Sequence, residues 1–351
     1  MTATLPEVSW FGALCDDDYE QLGVADPALA SSWEHCRAIV SAADRNGYDA
    51  VLLPSGYALG IDATAFAAAI GPLTERVRLL LAVRVGELVV PQLARQVATL
   101  QQILGPRLLV NIISSDVPGE SLASEPRYRR TLQAMADLRR LLAGEPVSVD
   151  GVALDAPRIA AAGPGCPPLY FGGLSPAARE VAAQEADVYL MWPDTLPAVA
   201  AIVDDLRTRA RAHGRTLRFG YRVHVIVRET EAEARAAARH LVAALDDRTG
   251  EAIRSRSLDT ASAGVARQGE LREAADDDGY VEDNLWTGIG RGRSGAGAAI
   301  VGDPHQVRAK LDAYRELVID AFILSGYPHE RECDRFARLV LDGYPHAPLH
   351  R

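Results

Sequence analysis

Leu169–Met191 reads LYFGGLSPAAREVAAQEADVYLM, and within it lies one complete strand–helix–strand unit. Leu169–Gly172 is an apolar run of strand length. Pro176–Glu185 is a helix with proline at its first position, where the missing N–H costs nothing, and Val188–Met191 is the next strand. Both strands are apolar throughout rather than alternating, the pattern of strands buried on both faces of a parallel sheet. The Gly172-Gly173 turn and Ser175 bring backbone N–H groups and a helix N-terminus to one point, which suits an oxyanion such as a phosphate. Gly-Gly also makes ordinary tight turns and Ser175 also serves as a plain N-cap, so both readings stand.

The same alternation runs outward in both directions. Upstream, strands are expected at Val8–Ala13, Ala50–Pro54, Val77–Val83 and Leu108–Ile113, with helices at Ser31–Asn46, Pro91–Leu104 and near Tyr128–Ala143. Val147–Pro168 is a linking segment. Downstream come helix Leu196–His213, strand Phe219–Val227, helix Glu231–Leu245, helix His305–Leu317, strand Ala321–Ser325 and a last helix from about Glu330. Close to eight βα units favour a closed (β/α)8 TIM barrel over an open doubly wound sheet. The whole chain, 1–351, is expected to form one barrel domain with a lid-like insertion at about 246–298.

That insertion breaks the rhythm. Asp246–Ala298 is long, polar and weakly periodic, and includes DNLWTGIGRGRSGAG, in which Arg291 and Arg293 are interleaved with glycines. A connection of this length is a functional lid or a mobile linker. It reads either as a surface loop or as a lid that closes over a bound anion, poorly ordered until it does.

Composition narrows the function. With 48% hydrophobic residues the 351-residue chain has ample material for a large core, and its net charge of −10 disfavours nucleic acid and anionic membranes as partners. The four cysteines show neither disulfide nor zinc spacing, so no metal is expected. The amino-terminal MTATLPEVSW lacks a leader pattern and no apolar run has membrane-span length, so a cytoplasmic protein is expected. P-loop, nucleophile-elbow, zinc-protease and dinucleotide fingerprints are all absent, which points to a borrowed cofactor as the source of reactivity.

Polar residues gather at the carboxyl ends of the strands, where barrels build their sites. Asn111, Ser114 and Ser115 end LLVNII, Trp192 follows VYLM, and Tyr327 and His329 follow the strand in ILSGYPH. In FGYRVHVIVRE, strand periodicity puts Arg222 and His224 on one face. A buried charge there must be paired or functional, and the early position of Arg222 in its strand counts mildly against a direct role.

The stretches AADRNGYDAVLLPSG (Ala42–Gly56), Pro167–Trp192, RFGYRVHVIVRETEAEA (Arg218–Ala234), NLWTGIGRGRSGAGAAIVGDP (Asn284–Pro304) and DAFILSGYPHEREC (Asp320–Cys333) resemble the alkanesulfonate monooxygenases of the bacterial luciferase-like superfamily, nearly end to end and in order. The resemblance implies a luciferase-type barrel and a two-component flavin-dependent monooxygenase. Reduced FMN would come from a separate flavin reductase, and O2 would be the co-substrate for an anionic, alkanesulfonate-like or other organosulfur compound. The family's catalytic positions fall on Arg222, His224, Arg293 and Tyr327, with the arginines stabilising negative charge and His224 and Tyr327 relaying protons. Its flavin-side positions fall on Asn111, Tyr128 and Ser175; the Gly172-Gly173 turn and the strand-end residues Ser114 and Trp192 are expected to bind the cofactor with them. A homodimer or homotetramer is implied.

Two departures stand out. The family's active-site cysteine after the second strand is missing: PSGYALGIDA offers Leu59 or Gly60 there. The first-strand histidine is also missing from FGALCDDDY. Both changes suggest a substrate other than a short alkanesulfonate. A deazaflavin-dependent dehydrogenase of the same superfamily and a non-catalytic flavin-binding relative are the alternatives.

Overall fold

A computed structural model describes residues 5–15, 17–56, 60–117, 119–149, 151–154, 159, 164–255 and 262–350. Strands β1 (Glu7–Phe11), β2 (Ala50–Leu53), β3 (Arg78–Arg84) and β4 (Leu108–Ile113) alternate with helices α1 (Trp33–Arg45), α2 (Ala63–Ile70), α3 (Val90–Leu104) and α4 (Ser124–Leu142). A short hairpin, β5 (Val147–Val149) and β6 (Val152–Leu154), occupies part of the segment read as a linker. Then follow β7 (Leu169–Phe171), α5 (Pro176–Glu185), β8 (Val188–Met191), α6 (Leu196–Ala212), β9 (Arg218–Val227) and α7 (Glu231–Leu241).

The ring closes with all-parallel pairing. β1, β2, β3, β4, β7, β8, β9 and β13 (Ala321–Ser325) form eight consecutive neighbours, and β13 returns to β1 with Glu7 opposite Ala321. All eight strands lie where the apolar runs place them. Alternation along each strand then divides the core in two. Val8, Trp10, Val51, Leu53, Leu79 and Leu81 pack outward against the helices. Phe11, Leu52, Leu80, Ala82, Leu109 and Tyr170 form a separate buried cluster inside the ring. Helix starts are fixed locally: the Ser32, Ser175 and Thr230 side chains each accept a backbone N–H as N-caps, Thr230 as a capping box with Glu233.

The insertion expected to be a loosely ordered lid has regular structure along most of its length. It contains helices α8 (Asp247–Arg254) and α9 (Ala263–Ala274) and strands β10 (Tyr280–Glu282) and β11 (Leu285–Trp286). β11 runs antiparallel to β12 (Ala299–Gly302), and β12 pairs in parallel with the upper half of β9, Ala299 opposite His224. Helix α9 is nearly non-amphipathic and the two strands are only two or three residues long, so neither leaves a periodic signal in the sequence. Helices α10 (Pro304–Glu316) and α11 (His329–Leu339) complete the chain's regular structure. Among the described residues no helix is long and apolar enough to cross a membrane.

Candidate active site

At the carboxyl ends of the barrel strands lies a cavity of about 290 Å3. Nine of the eleven residues singled out from the sequence line it: Asn111, Ser114, Tyr128, Gly172, Gly173, Ser175, Trp192, Arg222 and Arg293. His224 and Tyr327 are not among the lining residues. Both are buried directly behind Arg222 and the arginine loop, with their rings stacked at 5.4 Å and 20°.

One end of the cavity is a cradle of backbone and hydroxyl groups. A side chain at Gly172 would put Cβ 2.0 Å from Leu190 O, so only glycine permits β7 to pass β8 at this distance. Gly173 takes φ +150°, and a Cβ there would meet Ala178 at 2.7 Å and the Tyr128 hydroxyl at 3.3 Å. The Tyr128 hydroxyl therefore stands over the Gly-Gly turn, although it comes from α4. Tyr189 Oη donates to Gly173 O at 2.8 Å and locks the turn from beneath. Ser175 Oγ accepts from Ala178 N at 3.2 Å, which leaves its own proton free to be donated. The N-cap and the anion-donor readings of Ser175 thus hold together.

The neighbouring wall divides labour between two serines. Ser114 Oγ lies 2.7 Å from Thr131 Oγ1 and so already has one hydrogen-bond partner in the protein. Ser115 lines the cavity at 3% exposure with its hydroxyl unpartnered. A buried hydroxyl without a partner is costly, so Ser115 is set for a ligand. The sequence shows both serines but nothing that separates them.

The cavity also has a cationic part, lined by Arg222 and Arg293. Arg222 is 4% exposed, yet among the described residues it forms no ion pair with a carboxylate. Its guanidinium lies over the Phe11 ring at 4.3 Å and donates to Val223 O at 3.0 Å. Burial first, then the nearby Arg293, pulls its pKa down to about 9. Two arginines thus line one cavity, and a guanidinium is chemically suited to pair with an anion. Despite its early place in the strand, Arg222 lines the cavity together with Phe11 and Leu52.

His224 is committed elsewhere. Its Nε2 lies 3.1 Å from Ala296 O and its Nδ1 2.7 Å from Ser325 Oγ. Burial, then Arg222 and Arg293, holds its pKa well below the usual histidine range. Behind Tyr327, Asp18 bridges two histidines, with Oδ2 3.0 Å from His35 Nε2 and Oδ1 2.8 Å from His329 Nδ1. These contacts brace the wall that carries Tyr327, whose ring meets His329 edge-on at 4.9 Å.

The roof comes from the insertion. Ser262, Ala263 and Gly264, at the start of α9, line the cavity together with Gly295 and Ala296 of the arginine loop. The Trp192 ring is packed between them, so close to Gly264 that a Cβ there would come within 2.9 Å of it. Nothing in the sequence places α9 over the pocket, because its only signal is a polar, weakly periodic stretch. Leu59, the expected replacement for the family cysteine, lies outside the described residues. Gly60 is exposed. Among the described residues no group of three or more His, Cys, Asp or Glu side chains could hold a metal ion.

Residues 15–321 match the luciferase-like monooxygenase family. A sulfoquinovose monooxygenase from Novosphingobium aromaticivorans is 59% identical over 355 residues, with 98% of each chain covered. A second, from Agrobacterium fabrum, is 48% identical over 341 residues, covering 95% of this chain and 89% of the other. Among solved structures, a long-chain alkane monooxygenase superposes with a TM-score of 0.74 at 16% identity, covering 97% of this chain and 91% of that one.

Proposed function

The chain belongs to the luciferase-like monooxygenase family, and on that premise we propose that it uses reduced FMN and O2 to desulfonate a sulfosugar such as sulfoquinovose. The family's two-component chemistry implies a flavin, a small-molecule substrate and a flavin reductase as partner. The residues present fit FMN. The Gly172-Gly173 backbone, the Ser175 hydroxyl at the start of α5 and the Tyr128 hydroxyl surround a space that a single Cβ would fill, and they would hold the phosphate. Asn111, Ser115 and Trp192 would flank the rest of the cofactor. The bound reduced flavin supplies the activation of O2.

The protein's own residues bind, orient and keep the site dry. Arg222 and Arg293 would hold the sulfonate, the one group of the substrate that carries full charge, by charge-assisted hydrogen bonds. The Phe11 ring, stacked on the Arg222 guanidinium, holds it in place. Trp192 and the start of α9 close the roof, which excludes water from the activated oxygen and strengthens the arginine–anion attraction. His224 fixes the arginine loop as a neutral donor, and Tyr327 backs it.

The observation that carries this reading is that Arg222 and Arg293 line the same cavity as the Gly172–Ser175 cradle. A cationic pair and a backbone cradle in one pocket suit a sulfonated substrate and a phosphate-bearing cofactor. Turnover with reduced FMN should release sulfite from sulfoquinovose at least ten times faster than from short alkanesulfonates. Equal rates on ethanesulfonate and sulfoquinovose would sink the sugar assignment, and no sulfite from any sulfonate would sink the reading entirely.

A further inference from the structure

The arginine loop is gripped at its downstream base from two directions. From the barrel, His224 Nε2–H donates to Ala296 O at 3.1 Å, and the His224 backbone N–H donates to Ala298 O at 3.1 Å. From the insertion, Gln268 Oε1 accepts from Gly297 N at 3.0 Å while Gln268 Nε2 donates to Pro193 O at 2.8 Å. Gly297 O in turn accepts from Gly290 N at 2.8 Å. Three consecutive residues are thus fixed atom by atom, and Arg293 stands just upstream of them.

Gln268 is 4% exposed and bridges two walls of the cavity, since Pro193 follows Trp192 and Gly297 follows Ala296. Its helix is itself anchored. Arg267 donates to both carboxylate oxygens of Asp194 at 2.8 Å, and Gly264 lies against the Trp192 ring. One partner of Gln268 is a carbonyl and the other an N–H, so the bridge needs a donor and an acceptor on one short planar group. A primary amide supplies both. A carboxylate would satisfy Gly297 and set oxygen against oxygen at Pro193.

We infer that Gln268 is a positioning residue for Arg293: its amide ties the arginine loop to the end of β8, so that the arginine faces Arg222 across the cavity. This rests on the reading of Arg222 and Arg293 as the sulfonate site. The consequence is that α9, Trp192 and the arginine loop behave as one body. Releasing Gln268 frees the loop without touching the flavin cradle.

The test uses full-length Gln268→Ala and Gln268→Glu, with hydrogen exchange, reduced-FMN binding and sulfoquinovose turnover measured side by side. Both variants should speed amide exchange in peptides covering 290–298 by tenfold or more, leaving peptides of β1–β4 unchanged. KM for the sulfonate should rise ten- to a hundredfold, with kcat and reduced-FMN affinity within about threefold of the parent. Gln268→Ala should add little to Arg293→Ala, because both remove the same contact. Unchanged exchange across 290–298, uniform acceleration along the whole chain, or full additivity with Arg293→Ala would each overturn the inference. If the parent releases no sulfite from any sulfonate, the substrate reading fails, and exchange at 290–298 still decides whether Gln268 holds the loop.

Discussion

Ser325 Oγ lies 2.7 Å from His224 Nδ1, on the side of the ring opposite the 3.1 Å contact from Nε2 to Ala296 O. A carbonyl only accepts, so the proton is on Nε2 and the Ser325 hydroxyl donates to Nδ1. Both nitrogens of the neutral imidazole are therefore occupied. Through these two contacts the imidazole links β9, β13 and the arginine loop.

That geometry sets a pH dependence of stability. Burial holds the folded-state pKa of His224 well below the usual histidine range. In the window below about 6.5 the unfolded chain takes up a proton that the folded one refuses, so stability falls as pH falls. The contribution is at most about 1.4 kcal/mol per pH unit. His224→Gln keeps a donor toward Ala296 and removes the titration. Denaturant melts between about pH 5 and pH 7 should show a shallower loss for the variant, and parallel curves would mean that His224 is protonated in the folded state.

Arg222 poses a trade between stability and function. A buried guanidinium without a carboxylate partner destabilises the fold, while an anion in the cavity relieves that cost. Arg222→Met preserves the aliphatic volume and removes the charge. It should raise the unfolding free energy by about 1–3 kcal/mol and lower kcat/KM for the sulfonate by roughly two to four orders of magnitude. Arg222→Lys should recover only part of that loss, since an ammonium lacks the guanidinium fork. A thermal melt showing Arg222→Met less stable than the parent would assign Arg222 a structural role instead.

Ser175 allows the cap and the phosphate contact to be separated. Aspartate is as good an N-cap as serine, so Ser175→Asp should leave the melting temperature within a degree or two. It places negative charge where the FMN phosphate is proposed to sit, and reduced-FMN affinity should drop a hundredfold or more. Ser175→Ala should cost about 1 kcal/mol of stability and weaken FMN by about 1–3 kcal/mol. Flavin titration by fluorescence quenching reads both, and an Asp variant that binds FMN like the parent would place the phosphate elsewhere.

The barrel was legible because its strands announce themselves. LYF, VYLM, LLVNII and AFILS are apolar on both faces, and a parallel ring is the fold that buries such strands. The cradle was legible for a similar reason: Gly172-Gly173 followed by Ser175 and Pro176 is a local pattern. What connects distant segments was not. Gln268 and Gly297 meet across the roof through a polar helix with almost no amphipathic signal. The position of Arg222 along β9 does not by itself say that its side chain lines the cavity; the structure does. Ser114 and Ser115 were indistinguishable until Thr131, one helical turn beyond Tyr128, showed which hydroxyl was taken.

Glycines in a loop such as Asn284–Gly297 can serve either freedom to move or close packing. None of Gly288, Gly290, Gly292, Gly295 and Gly297 has positive φ, and most are glycine because something presses on them. A Cβ at Gly297 would sit 2.8 Å from Gly290 Cα, a backbone atom that cannot swing aside. At Gly295 the nearest atom would be the Trp192 ring at 3.7 Å, an ordinary contact. The two positions therefore give opposite expectations for one methyl group. Gly297→Ala should displace the Gly290–Gly297 contact and carry Arg293 with it. Sulfonate turnover should fall toward that of Arg293→Ala, and hydrogen peroxide release per reduced flavin should rise because the roof no longer excludes water. Gly295→Ala should keep activity within a few fold. Arg293→Lys should lie between parent and Arg293→Ala, as a point charge binds the anion without the fork. Sulfite and peroxide measured on all four variants test the scheme together. Equal losses at Gly295 and Gly297 would show that the loop needs flexibility as such and that close packing is not its purpose.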